Sequence, residues 1–415
     1  MIGGIWQRGL GRTVTWLTAL LILAVWTGGR ERSAQRFEQS SPASGQLSAA
    51  EIHDVYPAES IPFSAAPPVV LLNETKCDLK GNIYLVQSGI PPSPFGQSRG
   101  LAALAVSKLS TGSKSLVAYP VPSLDGYRSV VRSDFDVSVD GHLYSLLEAL
   151  DASATKSQAL PSFFIAKYND DGGVDSYFKL GGAPERHIQP FRFAMFRDGN
   201  VLVTGTAVAE GEPLRPFIAV FDRAGRFVNY VKVSDGAQHL HTTSGDPRPG
   251  GKDQAASARP AEGATSESES DLAVSLSSSS FIVSAPDDNV YVLRGTDRPR
   301  LYVISPAGEL IREFEVSAPV PGLTATNMGM AGPENIFVSF GHVQGASAGG
   351  AGSVGPRDLL SVISPQTGEV NAVYRLTRQA EAFDVPGCAA SSYNFLFVGD
   401  TADHQHLAIT RYLPR

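Results

Sequence analysis

The chain has 415 residues, of which 42% are hydrophobic and 18% are charged, and its formal net charge is −7. The apolar content is sufficient to bury a large core, which excludes a wholly disordered chain. The acidic balance argues against a general nucleic-acid binder, because such proteins present a basic face. Two Cys residues exclude a disulfide-dense scaffold and a four-Cys zinc site.

The N-terminal segment has the pattern of a targeting signal. Arg8 and Arg12 precede an apolar run over residues 14–26, which matches a secretory signal peptide and is short for a membrane span of about 20 residues. The sequence therefore predicts a signal peptide or N-terminal membrane anchor at 1–29 and a flexible polar tether at 30–50. We expect the remaining chain to be extracytoplasmic (periplasmic, cell-surface or secreted), and N-terminally anchored if the signal is not cleaved.

A short turn motif recurs six times along the rest of the chain. It consists of a small turn, then Asn or His, which we call the anchor, then an aliphatic or aromatic pair. The anchors are Asn82, His142, Asn200, Asn289, Asn335 and Asn394. One long spacing contains a Ser-, Gly-, Pro- and Glu-rich stretch at about 236–270, which has too few aliphatic residues to bury a core and is predicted to be a disordered insertion.

A second turn with glycine follows each of the first five anchors. These glycines are Gly112, Gly172, Gly225, Gly308 and Gly368. Alternating or apolar runs flank each of them, which is typical of β-hairpins. Two hairpins per repeat give four strands, so the sequence predicts an all-β fold, a six-bladed β-propeller of four-stranded antiparallel blades over 51–415. The sixth repeat is short, and we expect its missing strand to come from around residues 52–55 or from 69–72.

Two stretches resemble the repeats of a known family. Residues 135–144, with Gly141 and His142 at their turn, look like the inner hairpin of NHL-type propeller repeats, and residues 217–233, with Asp222 and Gly225, resemble the outer hairpin. The resemblance implies a six-bladed propeller of a class that consists mostly of binding platforms, with a minority of enzymes. Gluconolactonase-like relatives hold an axial metal, but their Glu-Gly-Pro opening has no counterpart at 69–82, so no metal site and no cofactor are predicted.

The strand directions within a blade sort the connections onto two faces. The glycine turns share one face, here called the tight-turn face, and the connections 87–100, 148–161, 207–215, 236–270 and 341–357 open on the other, here called the long-loop face. Binding residues concentrate on loops carried by a rigid scaffold. The candidate binding residues around the axial mouth of the long-loop face are Arg132, Asp134, Arg192, Arg294, Asp297, Asn327, His342, Asp384 and Asp400. Their mixed charges fit a polar ligand.

The two cysteines lie just before the first and the last anchor. In a closed ring these two repeats are neighbours, so we hypothesise a Cys77–Cys388 disulfide that clasps the ring; the alternative is two small buried hydrophobic residues. A loop of this length gives a stabilisation of roughly 5 kcal/mol at most.

No catalytic signature is present. The Gly-x-Ser-x-Gly frame and the phosphate and dinucleotide loops are absent, and His404 and His406 are interpreted as part of an exposed polar turn rather than a metal site. The predicted function is therefore a binding scaffold for a protein or a small polar ligand, which acts through the long-loop face and contacts a membrane only through an uncleaved N-terminus. The alternatives are a metal-dependent, lactonase-like hydrolase with an axial site, and a structural cell-envelope protein.

Overall fold

The computed structural model describes residues 51–63, 70–71, 75–88, 105–153, 160–184, 187–208, 215–240, 280–294, 299–341, 359–377, 385–400 and 406–415. All of them belong to one unit, Ala50–Arg415. Their secondary structure consists of β-strands. Within these ranges no helix is long and apolar enough to cross a membrane. The predicted insertion at 236–270 and the predicted N-terminal segments lie almost entirely outside the described residues.

The strands are short and follow one another in hairpins. The first thirteen are β1 (Ile52–Pro62), β2 (Val70–Leu71), β3 (Lys76–Cys77), β4 (Ile83–Ser88), β5 (Val106–Ser110), β6 (Ser115–Tyr119), β7 (Tyr127–Val137), β8 (Leu143–Asp151), β9 (Ser162–Tyr168), β10 (Val174–Lys179), β11 (His187–Met195), β12 (Val201–Val208) and β13 (Arg215–Phe221). The others that the described ranges contain are β14 (Phe227–Tyr230), β15 (Lys232–Leu240), β16 (Ser280–Ser284), β17 (Val290–Arg294), β18 (Arg300–Ile304), β19 (Glu309–Glu315), β20 (Thr324–Met330), β21 (Ile336–Gly341), β22 (Leu359–Ile363), β23 (Val370–Leu376), β24 (Val385–Ser391), β25 (Asn394–Asp400) and β26 (Leu407–Pro414).

The described strands form four small sheets and one large sheet. The first sheet is β2-β4-β5-β6, with β3 beside β4; the second is β7-β8-β9-β10, the third β11-β12-β13-β14, and the fourth β16-β17-β18-β19 with β15 added at its edge. The large sheet has the order β20-β21-β22-β23-β1-β26-β25-β24. Neighbouring strands within each four-strand run pair antiparallel. The predicted all-β, propeller-like fold with four-stranded antiparallel blades is therefore confirmed.

The N-terminal strand β1 completes the large sheet. Its residues from Val55 to Pro62 pair antiparallel with β26, while its first residues, from Ile52 to Val55, pair parallel with β23. Asp54 forms an ion pair with Arg375 of β23. Two segments were predicted as sources of the missing strand. The segment that begins near residue 52 is the one that lies beside the C-terminal strands. The other, Val70–Leu71, pairs with β4 in the first sheet.

The innermost strands of the sheets surround a common axis. β3 contacts β7, β7 contacts β11, and the contacts continue through β16, β20 and β24 back to β3. Apolar side chains fill the spaces between neighbouring sheets: Phe135 and Phe164 between the first and second, Phe193 and Phe221 between the second and third. Large aromatic side chains bury much apolar surface each, so these layers provide most of the hydrophobic stabilisation.

The repeated glycine turns bring neighbouring sheets into close contact. Gly225, which connects β13 and β14, has a φ of +79°, and a Cβ atom there would lie 2.1 Å from the carbonyl oxygen of Lys179 in the preceding sheet. Gly172 stands in the same relation to the carbonyl oxygen of Ala118, at 2.5 Å. At Gly172 and Gly225 the second turn therefore carries glycine both for its left-handed backbone and because the preceding sheet lies directly against it.

Candidate functional site

The predicted binding residues on the innermost strands share one structural position. β7, β11 and β20 each contain a β-bulge, in which one extra residue has no partner on the neighbouring strand. The bulged residues are Ser133, Phe191 and Thr326, each nine positions before its anchor and each exposed. The three bulges therefore lie at the same distance along the chain from the tight turn that follows each innermost strand.

Three of the predicted residues directly follow these bulges. Asp134 is 2% exposed, and its Oδ2 accepts a hydrogen bond of 3.3 Å from the Phe193 backbone N–H. Arg192, whose side chain is 31% exposed, has its Nη1 4.0 Å from Asp134 Oδ1. Asn327 is buried, and its Oδ1 accepts a bond of 2.9 Å from the Met328 N–H. The structure thus brings Asp134 and Arg192 together.

Arg132 is directed toward the first sheet. Its Nε donates to Ser145 Oγ at 2.8 Å, and its Nη2 donates to the Tyr119 carbonyl at 3.0 Å and to the Tyr168 hydroxyl at 2.9 Å. Burial lowers the pKa of Arg132, and the Tyr168 hydroxyl partly opposes this change. The guanidinium group therefore connects the first and second sheets.

Of the other predicted binding residues, the structure describes the side chain of Arg294 alone. Arg294 is the last residue of β17, at the long-loop end, and is partly buried. Asp400 ends β25, and its side chain lies outside the described set, as do Asp297, His342 and Asp384. Among the residues that the structure describes, no three His, Cys, Asp or Glu side chains are grouped so that they could hold a metal ion. His406 is exposed, and His404 is not described.

A buried polar cluster that the sequence analysis missed lies further along the axis. Lys76 Nζ donates to the Ile282 carbonyl and lies 3.8 Å from Asp136 Oδ1. Asp136 Oδ2 accepts a bond of 2.9 Å from the Met195 N–H, and Ser284 Oγ lies 2.8 Å from the same oxygen and 2.7 Å from the Met195 carbonyl. These residues come from four different sheets, so the cluster ties the innermost strands together.

The electrostatics of the cluster are dominated by burial. Asp136 is 1% exposed and Lys76 7%. Burial raises the pKa of Asp136, while the Lys76 ammonium and the hydrogen bonds from Met195 and Ser284 lower it. The adjacent cavity measures about 20 Å³, which is room for one water molecule. The sequence contained one signal for this cluster, the spacing of Asp134 and Asp136. Residues i and i+2 of a strand lie on one face, so this spacing indicates two carboxylates on the same side of β7.

The Cys77–Cys388 disulfide is present, as hypothesised. It joins β3 to β24, with Cα atoms 5.7 Å apart and a sequence separation of 311 residues. Cys388 is 2% exposed. The bond therefore links the first sheet to β24, the inner edge strand of the large sheet.

Replacing both cysteines with alanine is expected to lower the free energy of unfolding by about 2–4 kcal/mol, because the disulfide restricts the unfolded chain. Urea unfolding of the unreduced wild type and the double variant measures the difference. Adding reductant should destabilise the wild type by a similar amount and leave the double variant unchanged. An identical response of both proteins to reductant would contradict the stabilising role.

Comparison with known proteins gives similarity to solved structures alone. No family model matches the chain, and a search of curated proteins finds no match. A chain of a mitotic checkpoint complex is 11% identical over 91% of this chain and 97% of its own length, with a TM-score of 0.37. YCF48 bound to a D1 peptide is 11% identical over 91% of this chain and its whole length, with a TM-score of 0.35. The polysaccharide lyase Uly1 is 13% identical over 81% of this chain and 75% of its own, with a TM-score of 0.38. Similarity at this level assigns neither a family nor a partner.

Proposed function

We propose that this protein is an exported six-bladed propeller of NHL-like repeats that binds a protein or a small polar ligand through its long-loop face. The observation that carries the proposal is the set of equivalent bulges in β7, β11 and β20, each of which leaves one residue exposed on an innermost strand. Bulges are over-represented beside functional sites, where they redirect a side chain. The tight-turn face, by contrast, uses its repeated glycines for contacts between sheets.

The blade count follows from dividing the large sheet at β1. β20-β21-β22-β23 is one antiparallel run of four, and β24-β25-β26 with β1 is another. Because β1 runs parallel to β23 and antiparallel to β26, it belongs to the second run. Two blades here and four small sheets give six, and the contacts of the six innermost strands around the axis support this count. β1 then closes the ring by joining the two ends of the propeller.

Export is supported by the disulfide, because disulfides form and persist in oxidising compartments. The proposed organisation is a signal peptide or anchor at 1–29, a tether at 30–50 and the propeller at 51–415, with an insertion at about 236–270. The mouth of the long-loop face includes Asp134, Arg192 and Asn327, with Arg294 at the end of β17. Charged and polar groups at that position suit a polar ligand or the polar part of a protein surface.

Site-specific photo-cross-linking in the protein's own host tests which face binds. Leu160, on the connection before β9, and Leu79, in the tight turn after β3, are both exposed leucines, at 62% and 40%. A photoreactive amino acid at position 160 should give discrete cross-linked adducts, and the same amino acid at position 79 should give few. Adducts from position 79 with none from position 160 would contradict the proposal.

A further inference from the structure

The innermost strand β3 is the shortest of the six strands around the axis. It consists of Lys76 and Cys77 alone, whereas β7 has eleven residues and β24 has seven. On β4, Lys76 is paired with Tyr84 and Cys77 with Ile83. A ladder of two residues supplies few backbone hydrogen bonds, so the position of β3 depends largely on what its side chains contact.

Both side chains of β3 are bonded to other sheets. Lys76 Nζ donates to the Ile282 carbonyl in the fourth sheet and lies 3.8 Å from Asp136 Oδ1 in the second. Cys77 is joined covalently to Cys388 in the large sheet, with the Cα atoms 5.7 Å apart. Because the ionic and the covalent anchor occupy consecutive positions of one short strand, a displacement of β3 that breaks one anchor also disturbs the other.

The small axial cavity adjoins both anchors. Lys76 and Cys77 line it on one side, and Asp136 and Ser284 line it from the facing strands. Free space on this side lets β3 shift without first displacing a packed side chain. Cys77 is only partly buried, whereas Cys388 is 2% exposed, so a reductant would reach the bond from the Cys77 side.

A shift of β3 does not require the ring to open. The chain passes from β1 in the large sheet to β2 in the first sheet, so these two sheets stay connected when the disulfide is broken. β1 itself is paired with β26 from Val55 to Pro62. We therefore expect loss of the disulfide to free β3 locally, as a small unit that opens while the rest of the protein remains folded.

We propose that the Cys77–Cys388 disulfide and the Lys76–Asp136 ion pair form one redox-sensitive latch on β3, and that reduction of the disulfide by a dithiol releases Lys76 from Asp136 and exposes its amine to solvent. In this step the dithiol gives two electrons and two protons to the bond. The S–S bond breaks, two thiols form, and the dithiol closes to its own disulfide. Energetic coupling is reciprocal, so weakening the ion pair should also make the disulfide easier to reduce. The latch does not depend on what the long-loop face binds.

Amine labelling of the folded wild-type protein measures the release of Lys76. The disulfide-bonded protein, and the protein reduced with dithiothreitol and capped with iodoacetamide, are treated briefly with acetic anhydride, and peptide mass spectrometry quantifies each modified lysine. Reduction should raise the labelling rate of Lys76 at least about tenfold. The control is Lys167, which pairs with Asp175 at 3.5 Å in the outer part of the second sheet and should keep its rate. Unchanged protection of Lys76, or an equal increase at both lysines, would overturn the inference.

The rate at which dithiothreitol reduces the disulfide tests the coupling from the other side. Lys76→Met should be reduced at least about tenfold faster than the wild type. The matched control is Gly225→Ala, which is also expected to destabilise the protein but acts at the Lys179 carbonyl, between the second and third sheets. It should be reduced at nearly the wild-type rate. Equal acceleration in both variants would mean that reduction follows a general loss of stability, and an unchanged rate in Lys76→Met would show no coupling; either result overturns the inference. If Lys76→Met does not fold, the labelling of the wild type still decides.

Discussion

Replacing Gly225 with alanine is expected to lower the free energy of unfolding by about 3–5 kcal/mol. Part of the loss comes from its φ of +79°, since a left-handed backbone costs other residues about 1–2 kcal/mol. The rest comes from contact, because the new Cβ would lie 2.1 Å from the Lys179 carbonyl oxygen and 2.9 Å from the Phe178 ring. The clash is with backbone of the preceding sheet, so relief requires the two sheets to separate.

Urea unfolding followed by circular dichroism and tyrosine fluorescence measures the effect. The matched control is Gly112→Ala, in the corresponding turn of the first sheet. Gly112 has no positive φ that would strain alanine, and nothing lies within 4 Å of a Cβ atom built there. This variant should stay within about 0.5 kcal/mol of the wild type. Equal destabilisation by the two substitutions would show that the close contact between sheets is not what requires glycine at position 225.

Replacing Lys76 with methionine is expected to destabilise the protein by about 3–5 kcal/mol at neutral pH. The substitution removes the ammonium group 3.8 Å from Asp136 Oδ1 and leaves a carboxylate that is 1% exposed. Removing one partner of a buried ion pair typically costs this much, whereas replacing both partners costs far less. The Lys76→Met, Asp136→Asn double variant should therefore recover much of the loss, which a double-mutant cycle of urea unfolding measures.

The ion pair of Lys76 and Asp136 should also make the free energy of unfolding depend on pH. Burial raises the pKa of Asp136 above its ordinary value of 3.8, so the folded protein binds this proton more tightly than the unfolded chain does. The resulting stability is present in full below the unfolded-state pKa and is lost as the pH rises through the folded-state pKa. Lys76→Met should raise that pKa further, because the ammonium lowers it.

Unfolding midpoints measured between about pH 4 and about pH 8 separate the contribution of the Asp136 charge from that of Lys76 packing. Lys76→Met should be close to the wild type at the acid end and fall away from it as the pH rises. Asp136→Asn, which keeps an acceptor for the Met195 N–H, should lack the part of the pH dependence that comes from Asp136. A constant difference between Lys76→Met and the wild type across the range would mean that Lys76 contributes through packing rather than charge.

The regular parts of the fold were predictable because turn chemistry is local. Gly141 and Gly225 adopt the positive φ that their hairpins need, and His142, an anchor, has its carbonyl accept a bond of 3.0 Å from the Ser138 N–H, which closes its turn. The disulfide was predictable for a related reason. Once the repeats are in order around a ring, Cys77 and Cys388 occupy adjacent repeats.

The candidate site was predictable only in part. The sequence indicated Asp134, Arg192 and Asn327 as polar residues close to the predicted inner strands. It did not reveal the bulges, because a bulge depends on how two strands pair, and the pairing is set by contacts such as that of Gly205 with Gln189. The sequence predicts Arg132 at the axial mouth, yet its guanidinium donates to the Tyr119 carbonyl in the first sheet and to the Tyr168 hydroxyl at the end of β9. Which partner a long flexible side chain contacts depends on packing between sheets.

By itself, the sequence of 415 residues determined the class of the fold, because glycine turns and alternating apolar residues act over a few positions and leave the chain little choice of local structure. It also determined that its two cysteines stand at opposite ends of the repeat series. Only the tertiary structure decided that β1 lies between β23 and β26, that Lys76 contacts Asp136 and Ile282, and that Phe191 is exposed on a bulge. Each of these depends on residues that are distant in sequence, and their proximity arises when the sheets pack around a common axis.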